Sequence, residues 1–232
     1  IYYLDYAMQS LLSPRLRHKM GEFYTPPFLT KEMAHYSYSF GDYVLDPCCG
    51  SGNFLLEIID TILKRNETIE SKIEAIDKIY GFDINPMAIL MAKINILLLL
   101  GKKNSEIYSN LYNIDCLEPN NKIKGILFDL VIGSPLWYTL RDIVSVKVQK
   151  YIKNLAEELH IKPQPKNILN IEIATIFFYQ CKNLYLKNGG KIFFVLSEGI
   201  INGSHASRFR NFNNLKEIII WSFSKQIQNL FN

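Results

Sequence analysis

The sequence predicts an α/β protein built on a doubly wound, mostly parallel sheet, and three observations point to it. Short runs rich in Ile, Val, Leu and Phe alternate with stretches of helical periodicity, the pattern of strands buried on both faces between crossover helices. A glycine-rich turn separates the first run from the helix after it, as at the opening of such a sheet. Three of the first four runs end in a carboxylate or a polar turn. In an open α/β sheet those ends line one crevice, where ligands bind.

The elements follow in order. Residues 1–20 mix helix and loop signals and end in a basic patch at Arg15, Arg17, His18 and Lys19. Segment 21–27 (GEFYTPP) is rich in turn formers and aromatics, and Thr30 opens a short helix. Residues 43–46 (YVLD) form a first strand, 47–52 (PCCGSG) the glycine turn and 53–65 a helix. The polar stretch 66–78 reads as a loop or frayed helix. A second strand covers 79–83 (IYGFD), and Asn85 with Pro86 starts the crossover helix that includes 88–100. Residues 111–114 are a weak third strand and 127–132 (LFDLVI) a strong fourth. A Lys-rich insertion with helical stretches and a break at Pro163 and Pro165 fills 138–169. An amphipathic helix at 171–186, a turn at 188–190, a fifth strand at 191–196, a loop with a short helix over 200–215 and a sixth strand at 217–221 complete the reading. One domain is expected, with a helical N-terminal segment over 1–40 and the α/β body over 41–232.

Composition narrows the class. With 48% hydrophobic residues in 232, the chain can bury a sizeable core, and wholesale disorder is excluded. A net charge of +4 points weakly to an anionic partner. The four cysteines make no CxxC pair and the four histidines are scattered, so no metal site is expected. No signal peptide is visible. The most apolar helix carries Lys93 and Asn95 and is too short to span a bilayer. A reducing, cytoplasmic setting is expected.

Two constellations carry chemistry. In the first, Gly50 and Gly52 permit close backbone approach around Ser51. The spacing is not the three-glycine fingerprint of a pyrophosphate site. Asp46 repels a pyrophosphate and attracts an amino-acid ammonium, which favours a cofactor with a methionine-like tail. Asp83, ending the second strand, suits the two hydroxyls of a ribose. Ile84 and Pro86 can wall an adenine ring, and Asp115 can accept an exocyclic amine. In the second, segment 133–137 (GSPLW) follows the fourth strand. Ser134 and a backbone carbonyl beside Pro135 can grip an exocyclic amine while Trp137 stacks on its ring. A base must leave the duplex to reach such a pocket. Lys147, Lys150, Lys153, Lys162 and Lys166, with His205, Arg208 and Arg210, offer contacts to phosphate, which give affinity rather than sequence choice.

These motifs together resemble the N6-adenine DNA methyltransferases of restriction–modification systems, in particular type I modification subunits and fused type II enzymes. The matching segments are GEFYTP at 21–26, DPCCGSGNF at 46–54, GFDINP at 81–86, SPLW at 134–137 and the NGGK segment from 188. The resemblance implies a Rossmann-like fold dependent on S-adenosyl-L-methionine, with 41–232 as the catalytic domain, expected to be truncated before the seventh strand with which this fold usually finishes. It implies that Tyr24, Thr25 and Pro26 cover the methionine portion of the cofactor. Asp46, Cys48 and Gly50 lie under the methionine, Phe54 packs the pocket, Asp83 and Ile84 meet the ribose and adenine, and Asp115 takes the adenine amine. Ser134 and the Pro135 carbonyl hold the target amine, Trp137 stacks on the base, and methyl transfer is direct. Double-stranded DNA is the implied partner, with a specificity subunit or a target-recognition domain absent from this chain and no membrane.

SPLW departs from the family loop in two places. Ser134 replaces Asn or Asp and is similar to N4-cytosine methyltransferases, which leaves adenine or cytosine open as target. Leu136 replaces a second Pro and relaxes one backbone torsion. Two further readings stand beside the leading one: a catalytically weak relic serving as a DNA-binding subunit, and a methyltransferase for a protein or RNA amine.

Overall fold

A computed structural model of the chain describes residues 25–101, 110–119 and 123–223. Tyr24 and the basic patch at 15–19 lie outside the described residues. Two compact units share the chain. Among described residues the first holds 27–134 and 181–195, and the second holds 25–26, 135–180 and 196–223.

The first unit is a parallel sheet with helices. Helix α1 (Pro27–Ser37) precedes strand β1 (Val44–Asp46), helices α2 (Asn53–Lys64) and α3 (Ile69–Ile76), strand β2 (Ile79–Asp83), helix α4 (Pro86–Leu100) and strands β3 (Leu111–Asn113) and β4 (Phe128–Gly133). Strand β5 (Leu186–Phe194) returns after the second unit's excursion. Strand order is β3-β2-β1-β4-β5, every pairing parallel. The winding reverses between β1 and β4, which makes their C-terminal ends the topological switch point.

Local chemistry explains the elements. Helix α2 buries Leu55, Ile58, Ile59 and Ile62, one stripe of a 3.6-residue period, each side chain contributing about 1.5–3 kcal/mol by leaving water. Helix α4 starts on Asn85, whose side chain accepts from the Met87 N–H, with Pro86 in its first turn. Two short expectations change. The helix after the prolines begins at Pro27, and the Thr30 hydroxyl donates back to the Pro27 carbonyl at 2.9 Å. Thr30 is therefore inside the first turn and does not open it, because Pro27 already has the φ a first helical residue needs. Segment 66–78 contains a full helix, α3, because the Thr68 side chain accepts from Ser71 N–H and caps it.

Strand β5 begins earlier than expected. The glycines at 189 and 190 do not precede the strand as a turn. Gly189 has φ +81°, and the register against β4 shifts between Phe128 and Leu130, so the glycines sit in a bulge within the strand. The expected sixth strand is absent among the described residues. Residues 217–221 make no ladder and leave Ile218, Ile219 and Ile220 exposed. An apolar run becomes a strand only when a neighbour supplies its hydrogen bonds.

The second unit contains a 3-10 turn (Leu140–Asp142), helix α5 (Val146–Glu158), a second 3-10 turn (Pro165–Asn170), the greater part of helix α6 (Ile173–Tyr185) and the short helix α7 (Gly199–Asn202). Phe178 and Tyr179 meet Phe209 edge to face, at centroid distances of 5.3 and 5.5 Å. The Tyr179 hydroxyl donates to the Phe209 carbonyl, so the cluster has no stranded phenol.

Candidate active site

Strand β1 ends on Asp46, 1% exposed. Its Oδ1 accepts the Cys48 N–H at 3.1 Å. Burial drives this carboxyl well above the usual aspartate range, opposed by the Cys48 N–H and reinforced by the charge of Asp83. Gly133, the last residue of β4, lies against it: a Cβ at 133 would stand 2.6 Å from Asp46 Oδ1. The switch point between β1 and β4 is thus floored by one buried carboxylate.

The glycine turn is bound to its surroundings through the backbone. Gly50 (φ +53°) and Gly52 (φ +93°) occupy left-handed conformations, which explains glycine there. Cys49 N–H donates to the Phe82 carbonyl at 2.8 Å, and Gly50 N–H donates to Asp83 Oδ2 at 2.9 Å. Asn95, 2% exposed within α4, donates from Nδ2 to the Ser51 carbonyl at 3.0 Å.

Asp83 accepts a second backbone bond, from Asn85 N–H to Oδ1 at 2.8 Å. Burial raises its carboxyl above the ordinary range, and these two N–H groups oppose the rise. Each oxygen retains acceptor capacity for a diol. Asn113 at the end of β3 donates from Nδ2 to the carbonyls of Asp83 and Ile84, which sets the turn leaving Ile84 66% exposed. The Ile114 N–H donates to the Asp83 carbonyl, so Asp115 follows directly beside that strand tip, half-buried, with Oδ1 accepting Leu117 N–H. Phe54 is buried at the start of α2. Cys48 is half-buried, and burial pushes its thiol well above the usual range.

Ser134 leaves the tip of β4. Its Oγ is fully buried and has no hydrogen-bond partner among the described residues. A buried hydroxyl without a partner is disfavoured by about 1–3 kcal/mol, so its presence asks for a reason.

In the second unit, Thr25, Pro26 and Pro135 are buried and Trp137 is half-exposed. Glu172 pairs with Thr139 in an isolated antiparallel bridge. Its carboxylate takes His205 Nε2 at 2.8 Å and a short hydrogen bond from Ser197 Oγ. Several expected phosphate contacts are engaged elsewhere. Arg210 donates from Nη1 to the carbonyls of Ile200 and Gly203, both at 2.8 Å, and Lys162 pairs with Glu157. Both charges serve local structure, whereas Lys147, Lys150, Lys166 and Arg208 remain exposed.

The first unit therefore gathers Asp46, Cys48, Gly50, Phe54, Asp83, Ile84, Asp115 and Ser134 around neighbouring strand tips. Asn95 and Asn113 in the first unit and Glu172 in the second hold these elements, and none belongs to a motif that the sequence singles out. A lone Asn in an apolar helix is a readable signal for the first. Asn113 and Glu172 carry none, because their partners lie about thirty residues away.

Residues 5–211 match the N-6 DNA Methylase family model. The chain belongs to the N-6 DNA methylase family. It is 30% identical over 115 residues to the type I restriction enzyme MjaIX methylase subunit of Methanocaldococcus jannaschii, covering 50% of this chain and 18% of that one. It is 26% identical over 200 residues to the type II methyltransferase M.VspI of Vibrio sp., covering 82% of this chain and 40% of that one. This N-6 DNA methylase chain thus spans less than half the length of either relative. A putative class I S-adenosylmethionine-dependent methyltransferase from Listeria monocytogenes matches its fold with a TM-score of 0.60 at 18% identity, over 90% of this chain and 56% of that one. The fold is the Rossmann-like α/β fold of these methyltransferases. Among the described residues no cluster of His, Cys, Asp and Glu is placed to hold a metal. No described helix is long and apolar enough to cross a membrane.

Proposed function

We propose that this chain is the methyl-transferring part of a site-specific DNA methyltransferase of a restriction–modification system, acting in the cytoplasm on adenine N6. The observation that carries the reading is Ser134. Its buried hydroxyl, without a partner among the described residues, follows Gly133, which itself lies against the buried Asp46.

The strand tips suit S-adenosyl-L-methionine. Asp46 is a buried carboxylate whose charge is disfavoured in the free protein, and an ammonium beside it offsets that penalty. The spare lone pairs of Asp83 suit a ribose diol, exposed Ile84 suits an adenine face, and Asp115 suits an exocyclic amine. Cys48, Gly50 and Phe54 line the methionine end. The cofactor supplies an electrophilic methyl on a sulfonium.

Ser134 Oγ and the Pro135 carbonyl hold the target amine so that its lone pair is free to attack. Trp137 stacks on the extruded base, an interaction worth about 1–3 kcal/mol, a useful part of the unpairing cost. As the methyl passes to the amine its bond to the sulfonium sulfur would break, and the methylated amine would then release its proton to solvent, so no side chain with a tuned pKa is required. Catalysis then rests on positioning and on local fields. Double-stranded DNA is the substrate, and a specificity subunit or a recognition domain beyond this chain selects the sequence.

A second reading has its own observation. Serine at the head of the loop is the N4-cytosine pattern, so cytosine N4 is the alternative target. The experiment is transfer of labelled methyl to duplex DNA by the full-length protein, followed by digestion to nucleosides. Label in N6-methyladenine is expected. Label in N4-methylcytosine selects the second reading, and unlabelled DNA with intact cofactor binding reduces the chain to a cofactor-binding subunit.

A further inference from the structure

Glu172 occupies an unusual junction in the second unit. Its two immediate neighbours in the chain grip the residues that follow Trp137. Leu140 N–H donates to the Ile171 carbonyl at 2.9 Å, and Ile173 N–H donates to the Tyr138 carbonyl at 3.0 Å, closing the Thr139–Glu172 bridge. Its side chain points to a different segment, 197–205, which follows β5. There the two carboxylate oxygens are divided between Ser197 Oγ and His205 Nε2.

The surroundings are shaped for this contact. The Glu172 and His205 side chains are only 12% and 19% exposed. A Cβ at Gly199 would stand 2.9 Å from Glu172 Oε1, and a Cβ at Gly203 would stand 2.2 Å from His205 Cε1. Both positions admit the pair because they carry no side chain. The Gly203 N–H closes the turn on the Gly199 carbonyl at 2.7 Å, and Arg210 donates to the carbonyls of Ile200 and Gly203. Segment 197–205 is thus folded around one carboxylate that also belongs to the strand-like bridge beside Trp137. A carboxylate this enclosed is disfavoured unless its acceptor capacity is filled, and here each oxygen has a donor or ring-nitrogen partner.

We infer that Glu172 is a positioning residue for target-base binding, set between the Ile171 and Ile173 backbone groups that hold the segment after Trp137, and holding the 197–205 segment by its carboxylate. It touches neither cofactor nor base. Its action is to keep the indole and the 197–205 segment in fixed orientations, so that the extruded base meets a preformed stacking face. The inference rests on the methyltransferase reading for its kinetic consequence but not for its structural one.

The test uses Glu172→Ala and Glu172→Gln in the full-length protein. Loosening a positioning contact is expected to lower kcat for methyl transfer by about 10- to 100-fold, while S-adenosylmethionine affinity by calorimetry stays within twofold. Gln keeps the size, one acceptor and one donor, and is expected to recover most of the rate. A separate readout is the emission of Trp137 in a Trp221→Phe background, expected to shift to the red and lose anisotropy in the Ala variant. Unchanged kcat and unchanged Trp137 emission in a folded Glu172→Ala protein overturn the inference. Altered emission in a protein that methylates nothing even as wild type upholds the positioning role and rejects the methyltransferase reading. Should the Ala variant fail to fold, His205→Ala tests the same link, since it spares the Glu172 main chain. Wild-type kcat and emission in that variant likewise overturn it.

Discussion

Asp83 Oδ2 accepts the Gly50 N–H at 2.9 Å, so the carboxylate at the tip of β2 also fixes the glycine turn at the tip of β1. The proposed ribose acceptor therefore also fixes the backbone of the turn proposed to lie under the methionine. Asp83→Asn keeps one acceptor but turns an NH2 toward one of the two backbone N–H donors. Loss of one charge-assisted bond is worth roughly 1.5–3 kcal/mol. Cofactor affinity is expected to fall about 10- to 100-fold and the melting temperature to drop as well. A loss of affinity with an unchanged melting curve contradicts the double role.

Asp46 sets a pH dependence. Burial raises its folded pKa well above the ordinary value, so the folded state binds a proton more tightly than the unfolded chain. This contribution to stability is fully present below the ordinary aspartate pKa and is lost as pH rises toward the raised folded value. An ammonium beside the carboxylate favours its ionised form, so cofactor binding tightens with rising pH and releases a proton. Calorimetry in buffers of different ionisation enthalpy measures that release. Asp46→Asn removes the charge and keeps an acceptor for Cys48 N–H. It is expected to raise the melting temperature of the ligand-free protein at neutral pH and to abolish proton-linked binding.

Ser134→Ala separates function from stability in the same way. The hydroxyl is buried without a partner among the described residues, so its removal is expected to stabilise the ligand-free protein by about 1 kcal/mol, a rise of about 2–4 °C in Tm for a chain of this size. Methyl transfer is expected to fall while cofactor affinity holds. A destabilised Ala variant contradicts the account of the orphaned hydroxyl.

Gly133→Ala tests the floor of the switch point. The added methyl meets Asp46 Oδ1 at 2.6 Å, and a short buried aspartate has little room to move. A loss of about 1–3 kcal/mol is expected, read by denaturant unfolding, together with weakened cofactor binding. At Gly81 the added methyl meets the side-chain ends of Leu111 and Leu55. Those can rotate, so Gly81→Ala is expected to cost less.

Trp137→Ala isolates stacking. About 1–3 kcal/mol of base stacking is lost, which appears as a roughly 5- to 150-fold fall in kcat/KM for DNA with S-adenosylmethionine affinity unchanged. Equal turnover by the variant removes Trp137 from the base-binding role.

Much of this was legible in order along the chain. Strand β2, the Asn85–Pro86 helix start and the acids at strand tips are local patterns: an apolar run bounded by polar residues, a cap before a proline, a carboxylate at the last position. Each depends on residues within a turn of one another, so a linear reading finds it. The Thr30 cap and the sixth strand failed for the complementary reason. Pro27 outcompeted Thr30 within a single turn, and an apolar run at 217–221 made no strand because strand formation needs a partner elsewhere.

By itself the amino-acid order determined the alternation of strand and helix, the glycine turn after Asp46 and the identity of the family, because these are written in neighbouring residues. Only the tertiary structure decided that Asp83 holds Gly50, that Gly133 lies on Asp46, that Ser134 buries its hydroxyl, and that Glu172 joins Ser197 to His205. Those relations depend on which strand lies beside which and on how tightly backbones approach. Long-range packing sets both, and no short stretch of sequence encodes it.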